Sequence, residues 1–232
     1  IQEGFYLVAI LSLLLVAVGP LGQVMLTTNL SGRLGSALVQ YLPDTQLILL
    51  IGAMIVSLIL GMGLPTPVAY IIVALALVPF MQQIGIPALQ AHFFVFYFAV
   101  FSTLTPPVAV SVLAAAKLGE ASFLSTAKDA IKIALTTFII PFAFVFSPEL
   151  MTFPDVTVKT FIAIAEVIFV QVAVSVASYG FLFRSLNGVE RGGYTIVALS
   201  GFLGFTYDTN FWYVAVTLFF AMSGYVYMTK KA

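Results

Sequence analysis

The sequence contains no cysteine and a single histidine, His92, among its 232 residues. The missing cysteines exclude disulfide staples, thiol nucleophiles and thiolate metal sites, and leave the redox compartment unassigned. One imidazole excludes a multi-histidine metal centre within this chain. Charge is also scarce: 8% of residues are charged, with nine Lys and Arg against nine Asp and Glu. There is no basic field for nucleic acid and no acidic tail. An intramembrane enzyme would need a convergent nucleophile and base or a metal dyad, and no such set, nor a pair of intramembrane aspartates, occurs in the sequence.

Apolar residues fill the space that charge leaves. They make up 62% of the chain, and the mean hydropathy of +1.14 lies far outside the range of water-soluble domains. A spanning helix needs about 20 mainly apolar residues to cross roughly 30 Å of hydrocarbon, and Phe5 to Leu26 meets that. Residues 27–45 are polar, with Arg33, Pro43 and Asp44. Leu34, Leu38 and Tyr41 fall on one side at helical spacing, which predicts an interfacial helix along the bilayer. Gln46 to Leu60 and Val68 to Gln83 are arms of about 15 residues, near 23 Å each if helical and short for a crossing. Joined by a short break, they predict a re-entrant hairpin over 46–84. Residues 91–116 are long enough to span but carry Pro106-Pro107 inside, predicting two half-helices in line. Lys117 to Lys132 reads as an amphipathic connector capped by Ser122 or Ser125. Further spans are Ile133 to Phe146 with a kink at Pro141, Lys159 to Phe183, Tyr194 to Tyr207, and Phe211 to Met228, the last two joined around Asp208-Thr209-Asn210. The domains are then 1–45 (scaffold and interfacial helices), 46–116 (the interrupted elements), 117–158 (connector and scaffold helix) and 159–232 (C-terminal spans).

If the hairpin returns to its starting side, one side receives Lys117, Lys128, Lys132, Arg184, Arg191, Lys230 and Lys231, and the other only Arg33 and Lys159. The excess of positive charge makes the first side, and the C-terminus, cytoplasmic. Two full crossings would keep the same parity, so arm length is the better argument for re-entrance. The chain opens at Ile1, a few residues before its first apolar run and without a signal-peptide pattern; it reads as part of a longer polypeptide.

The chemistry sits in two interruptions, Gly61-Met62-Gly63-Leu64-Pro65-Thr66-Pro67 and Ser102-Thr103-Leu104-Thr105-Pro106-Pro107. Lipid cannot hydrogen-bond a bare backbone, so a helix broken at membrane depth must line a cavity or be covered by protein, and broken helices are how many secondary transporters hold ions and substrates. Proline lacks an N–H, so in helical geometry Pro106 deprives the Ser102 carbonyl and Pro107 that of Thr103. With the hydroxyls of Ser102, Thr103 and Thr105 this makes a set of neutral oxygens suited to a small hard cation such as Na+ rather than a soft metal. At the hairpin, Pro65 and Pro67 would free the carbonyls of Gly61 and Gly63 beside the Thr66 hydroxyl. Each break ends one half-helix in carbonyls, which attract cations, and starts the next with N–H groups, which attract anions. Bland alternatives are glycine for close helix packing and hydroxyls bonded back to their own helix. Neither accounts for paired prolines beside three hydroxyls. Pro79 and Pro141, without such neighbours, read as kinks.

Elsewhere, His92 reads as a hydrogen-bonded or interfacial packing residue, with a proton or substrate contact as the alternative. Glu166, two turns into a span, is either a proton relay or shallow enough to reach water. Asp208 reads as a solvated turn residue, and the run Phe93, Phe94, Phe96, Tyr97 as lipid-facing and packing surface.

Around these breaks the sequence resembles the large membrane subunit of the tripartite ATP-independent periplasmic (TRAP) transporters, and within it the fused permease branch that works with TAXI-type solute-binding proteins. The resemblance is carried by Gly61 to Tyr70 (GMGLPTPVAY), Ala91 to Ala99 (AHFFVFYFA), Thr105 to Ala109 (TPPVA) and Pro141 to Leu150 (PFAFVFSPEL); it is specific over about 45–150 and looser beyond. It implies an all-α polytopic protein, one half of an elevator-type inverted-repeat transporter, with the second hairpin and second broken helix at 46–116. It also implies import of organic anions from a periplasmic binding protein, driven by sodium as coupling ion, with no ATP hydrolysis, no cofactor and a bacterial or archaeal inner membrane. Ion contacts would come from Gly61, Gly63, Thr66, Ser102, Thr103 and Thr105, and substrate contacts from Pro65, Thr66, Pro67, Thr105, Pro106, Pro107 and Val108. Implied partners are the solute-binding protein, a small membrane subunit or fused equivalent, the other half of the permease before Ile1, and the lipid bilayer. Other branches commonly have glycine where this chain has Ala109, and the hairpin tip here lacks an acidic residue; both fit the fused branch. Proton coupling through His92 or Glu166, and a scaffold subunit without its own site, are the alternatives.

Overall fold

A computed structural model describes residues 2–43, 45–152 and 154–229, which are helical with turns and show no strand. Asp44, Lys230 and Lys231, used above, lie outside the described residues. The chain forms two compact units, Ile1–Ile131 and Lys132–Ala232.

In the first unit, α1 (Gln2–Thr27) is 26 residues long, about 39 Å of helix, and extends the expected first span at its N-terminal end. The amphipathic α2 (Leu30–Tyr41) follows and packs on α4. Its Leu38 lies against Gly52 of α3, where a Cβ would stand 2.8 Å from the leucine Cδ2. Tyr41 is exposed, so the expected stripe of Leu34, Leu38 and Tyr41 is not one packed face. The hairpin is α3 (Gln46–Gly61) and α4 (Thr66–Gln83), 16 and 18 residues, about 24 and 27 Å. The second arm is thus longer than expected and reaches the length of a candidate span. α4 turns through Gly85 into α5 (Ala88–Phe101), and the two share the core of the unit: Leu77, Phe80, Met81, Phe94 and Phe98 are fully buried.

The broken helix runs from Ala88 to Leu118, with the interruption at 102–109 between α5 and α6 (Val110–Leu118); both outer bounds are wider than the expected 91–116. The connector α7 (Phe123–Ala134) starts one residue after Ser122, whose Oγ accepts from the Ser125 N–H at 3.3 Å. Ser122 is therefore the cap, and Ser125 lies inside the helix. A 3-10 turn at Leu135–Thr137 precedes α8 (Ile139–Phe146). The break falls before Pro141 rather than at it, because Pro141 has no N–H for the Thr137 carbonyl four residues earlier.

The rest of the second unit stacks α9 (Val158–Tyr179), α10 (Gly188–Thr206) and α11 (Thr209–Met228) in sequence order. Ala173, Val197, Ala198 and Ala215 form a small-residue seam faced by Phe169, Phe219 and Met222, as expected where helix association relies on close packing rather than water exclusion. Tyr194 is fully buried and its hydroxyl meets Ser223 Oγ at 3.0 Å. α9 ends at Tyr179, four residues short of the expected Phe183, and Gly180 follows at φ +66°; glycine is the residue that takes this left-handed helix-ending conformation at least cost. α10 begins six residues before the expected Tyr194, because Asn187 caps it: Asn187 Oδ1 accepts from the Glu190 N–H at 2.9 Å and Glu190 Oε2 accepts from the Asn187 N–H at 2.9 Å. Asp208, exposed in its turn, accepts from the Asn210 N–H and caps α11.

Glu190 also pairs with Arg184. The guanidinium, then the Asn187 N–H, hold its carboxyl below the usual glutamate range, and the same hydrogen bond raises Arg184. A carboxyl whose pKa is lower in the folded state stabilises the fold above its unfolded value, and that contribution fades as pH falls through the folded value. Thermal unfolding in detergent should therefore show a loss of stability on acidification below about pH 4.3 that Glu190→Gln lacks, with the variant less stable at neutral pH. Identical acid profiles for the two proteins would refute the assignment.

Candidate functional site

Both interruptions lie in the first unit and meet there. α3 ends at Gly61, and a Cβ on that residue would stand 2.5 Å from Ser102 Oγ and 2.9 Å from Ser102 Cβ. No side chain fits, so the hairpin backbone rests directly on the fully buried Ser102. Two residues on, Gly63 has φ +77°, and a Cβ there would stand 3.3 Å from Val108 Cγ1. Four helix ends are thereby sorted. The carbonyl ends of α3 and α5 come together at Gly61 and Ser102, while the N–H ends of α4 and α6 start just beyond Gly63 and Val108. Partial negative charge gathers on one side of the contact and partial positive on the other.

The local bonding differs in part from the sequence reading. The Ser102 carbonyl is not freed by Pro106, because the chain tightens to a 3-10 turn and Thr105 N–H donates to it at 3.2 Å. Likewise the Gly61 carbonyl accepts from Leu64 N–H at 3.3 Å. Thr103 is the residue that proline deprives in either geometry: its 3-10 partner would be Pro106 and its α partner Pro107, and neither has an N–H. All three hydroxyls donate back to their own helix, Ser102 to the Ala99 carbonyl (2.6 Å), Thr103 to Val100 (2.8 Å) and Thr105 to Phe101 (3.0 Å). The bland alternative thus holds for their protons. A hydroxyl that has given its proton keeps its lone pairs, so back-bonding orients an acceptor rather than removing one.

After Thr105, extended at φ −92°, comes a cis Pro106-Pro107 bond and then Ala109 at φ +40°. Ala109 is fully buried against Val112 of α6 and Ala127 of α7, so the connector helix covers the exit of the break. Residues 45–116 contain no Asp, Glu, Lys or Arg. The breaks therefore offer main-chain groups and neutral oxygens, and within this segment it is the helix ends that can meet a charge. Of the hairpin residues, Thr66 opens α4, Pro65 caps it and Pro67 lies in its first turn; Pro65, Pro67, Pro107 and Val108 are exposed, and Thr66, Thr103, Thr105 and Pro106 half-buried.

Two candidates stand apart. His92 is ten residues before Ser102 on α5, about 15 Å along the axis. Its Nδ1 meets the Tyr70 hydroxyl at 2.9 Å, beside an edge-on Tyr70–Phe96 pair at 5.5 Å. It is a hydrogen-bonded packing residue at the rim of an apolar concavity of about 350 Å³ lined by Tyr70, Leu89, Phe93 and Phe96. Glu166 belongs to the second unit, half-buried on α9 in an open concavity of about 310 Å³ with Ser147, Glu149 and Lys159. The Gly61–Ser102 seat and the left-handed Ala109 escaped sequence reasoning. The only signal for the second was the glycine that other branches place there.

Gly61→Ala should cost about 1–3 kcal/mol through overpacking, with Ser102→Gly restoring part of the loss; additive losses in that double-mutant cycle of detergent melting would refute the contact. At Ala109 a left-handed backbone disfavours a β-branched side chain, so Ala109→Val should lower stability by about 2–3 kcal/mol, while Ala109→Gly, trading relieved strain for a lost buried methyl, should stay within about 1 kcal/mol. A valine variant as stable as the parent would contradict this backbone.

No curated protein and no solved structure matches the chain. A family model does: that of the tripartite ATP-independent periplasmic transporter, DctM component, over residues 2–156. The match covers α1, the hairpin, the broken helix and the connector, which is the whole first unit with both interruptions. Among the described residues, which are helical with turns, four helical stretches are long and apolar enough to cross a membrane, and this agrees with it. The chain belongs to the DctM component family of the tripartite ATP-independent periplasmic transporters, as a multi-pass membrane permease component.

Proposed function

We propose that this chain is the permease segment of a sodium-coupled, binding-protein-dependent secondary transporter that imports organic anions, carboxylates, by an elevator mechanism. The observation that carries the reading is the meeting of the two breaks at Gly61 and Ser102. Sodium is held on the carbonyl side, by main-chain and hydroxyl oxygens of Gly61, Gly63, Thr66, Ser102, Thr103 and Thr105. A hard cation favours such oxygens, and the doubly deprived Thr103 carbonyl is the strongest acceptor among them. The carboxylate faces the N–H side, where α4 and α6 begin, within reach of Pro65, Thr66, Pro67, Thr105, Pro106, Pro107 and Val108. With no charged side chain in 45–116, ion and substrate help to neutralise each other, which is a physical basis for coupling.

The hairpin is re-entrant in this reading, and the moving body is 46–116. The partners are a periplasmic solute-binding protein of the TAXI type, a small membrane subunit or its fused equivalent, and the other half of the permease. The setting is a bacterial or archaeal inner membrane with the C-terminus cytoplasmic. In the second unit Lys132 lies over Tyr179 at one end of α9, near Arg184 and Arg191, while Glu149 and Lys159 lie toward the other; positive charge gathered at the first end supports that orientation.

Uptake by proteoliposomes containing the complete transporter should collapse when sodium is replaced by choline at fixed pH. Thr105→Val should raise the sodium requirement about tenfold, the equivalent of about 1.4 kcal/mol. Equal uptake in choline would sink the sodium assignment in favour of protons, and an unchanged sodium requirement in the valine variant would favour a scaffold role for the break.

A further inference from the structure

The end of the second unit at which α9 stops has no part in the proposed transport chemistry, yet it is built in an unusual way. After Tyr179 the chain folds back on itself: Leu182 N–H donates to the Arg184 carbonyl at 3.1 Å, Leu186 N–H to the Gly180 carbonyl at 2.8 Å, and Phe181 and Ser185 form a bridge. Inside this turn Phe183 has φ +33°, a left-handed backbone uncommon for a bulky side chain. The turn holds out two phenyl rings, Phe181 at 61% and Phe183 at 45% exposure. Phe183 stands edge-on to Tyr227 at 5.5 Å, and Tyr179, Tyr225 and Tyr227 are exposed as well.

Among the described residues three cations share this end. Arg184 is consumed by Glu190, the Ser185 carbonyl and Thr229 Oγ1. Arg191 donates from Nε to the Ala177 carbonyl at 3.0 Å and from Nη2 to that of Ser178 at 3.1 Å. Lys132 Nζ lies 4.8 Å above the Tyr179 ring. Among the described residues Glu190 is paired with Arg184, and Lys132 and Arg191 stand around the last turn of α9 without a carboxylate in ion-pair contact. Capping of the α9 carbonyls accounts for Arg191. It accounts neither for Lys132 nor for exposed rings held on a left-handed backbone. Exposed aromatics interleaved with cations are the composition of a membrane–water interface, and cations at that depth attract acidic lipid.

We propose that this end, where the exposed Phe181 and Phe183 stand in the turn after the α9 end that Lys132 and Arg191 contact, is a binding surface for anionic phospholipid headgroups. Occupancy ties the turn, the start of α10 and the end of α11 to the leaflet and fixes the depth of the second unit, a role separate from ion or substrate binding.

The absence of cysteine makes the test direct. The full chain is equilibrated with equal phosphatidylglycerol and phosphatidylcholine, and the retained lipid is counted by native mass spectrometry. The parent should retain phosphatidylglycerol preferentially, and Lys132→Gln should lower that preference roughly fivefold, with Lys132→Arg restoring it. Lys132 carries the test because Arg191 also caps α9. A spin label on Phe181→Cys should report headgroup depth in nanodiscs. Equal retention of the two lipids, a Lys132→Gln variant like the parent, displacement of the lipid by millimolar inorganic phosphate, or a label in bulk water would each overturn the proposal.

Discussion

Backbone polar groups in hydrocarbon must be satisfied within the protein, and the first unit is organised around that constraint. Each of its two interruptions ends one helix and starts another, and the two pack against each other at Gly61 and Ser102. The hairpin tip presses Gly61 onto Ser102 and Gly63 onto Val108, so the two interruptions lie against each other rather than apart. Glycine is required for this because the contact is between backbone and side chain with no room for a Cβ. The packing of α4 on α5, with Phe80, Phe94 and Phe98 fully buried, holds the arms still enough for the contact to persist.

Several local adjustments follow from the same rule. Where Pro106 would have orphaned the Ser102 carbonyl, the chain tightens so that Thr105 serves it. Where Pro141 orphans Thr137, a 3-10 turn takes up the slack. Hydroxyls in the broken helix donate to carbonyls of the preceding turn. What remains is one carbonyl, that of Thr103, that proline deprives in both helical geometries. A site that conserves its deprivation so closely differs in kind from a general loosening of the helix.

The second unit answers a different need. Its interior is a seam of alanine and valine with a few large rings, and three of its charged residues serve helix ends: Glu190 in a capping box, Arg191 on the carbonyls of α9, Asp208 at the start of α11.

Much of this was legible in the sequence. Apolar run length set the number and rough place of the helices, since the hydrocarbon thickness fixes how many residues a crossing needs, and proline with glycine marked both interruptions because those residues act on their own backbone. Helix ends were less legible. Gly180 stops α9 before Phe183 and Asn187 starts α10 before Tyr194, cap effects that hydropathy does not register. The sequence by itself determined that the helices break within 61–67 and from 102 onward, and that 45–116 carries no charged side chain, because proline and charge are properties of single residues. Only the tertiary structure decided that Gly61 rests on Ser102, that Thr105 serves the Ser102 carbonyl, and that His92 bonds Tyr70 away from the breaks, because those outcomes depend on how the backbone turns and on which surfaces approach each other in space.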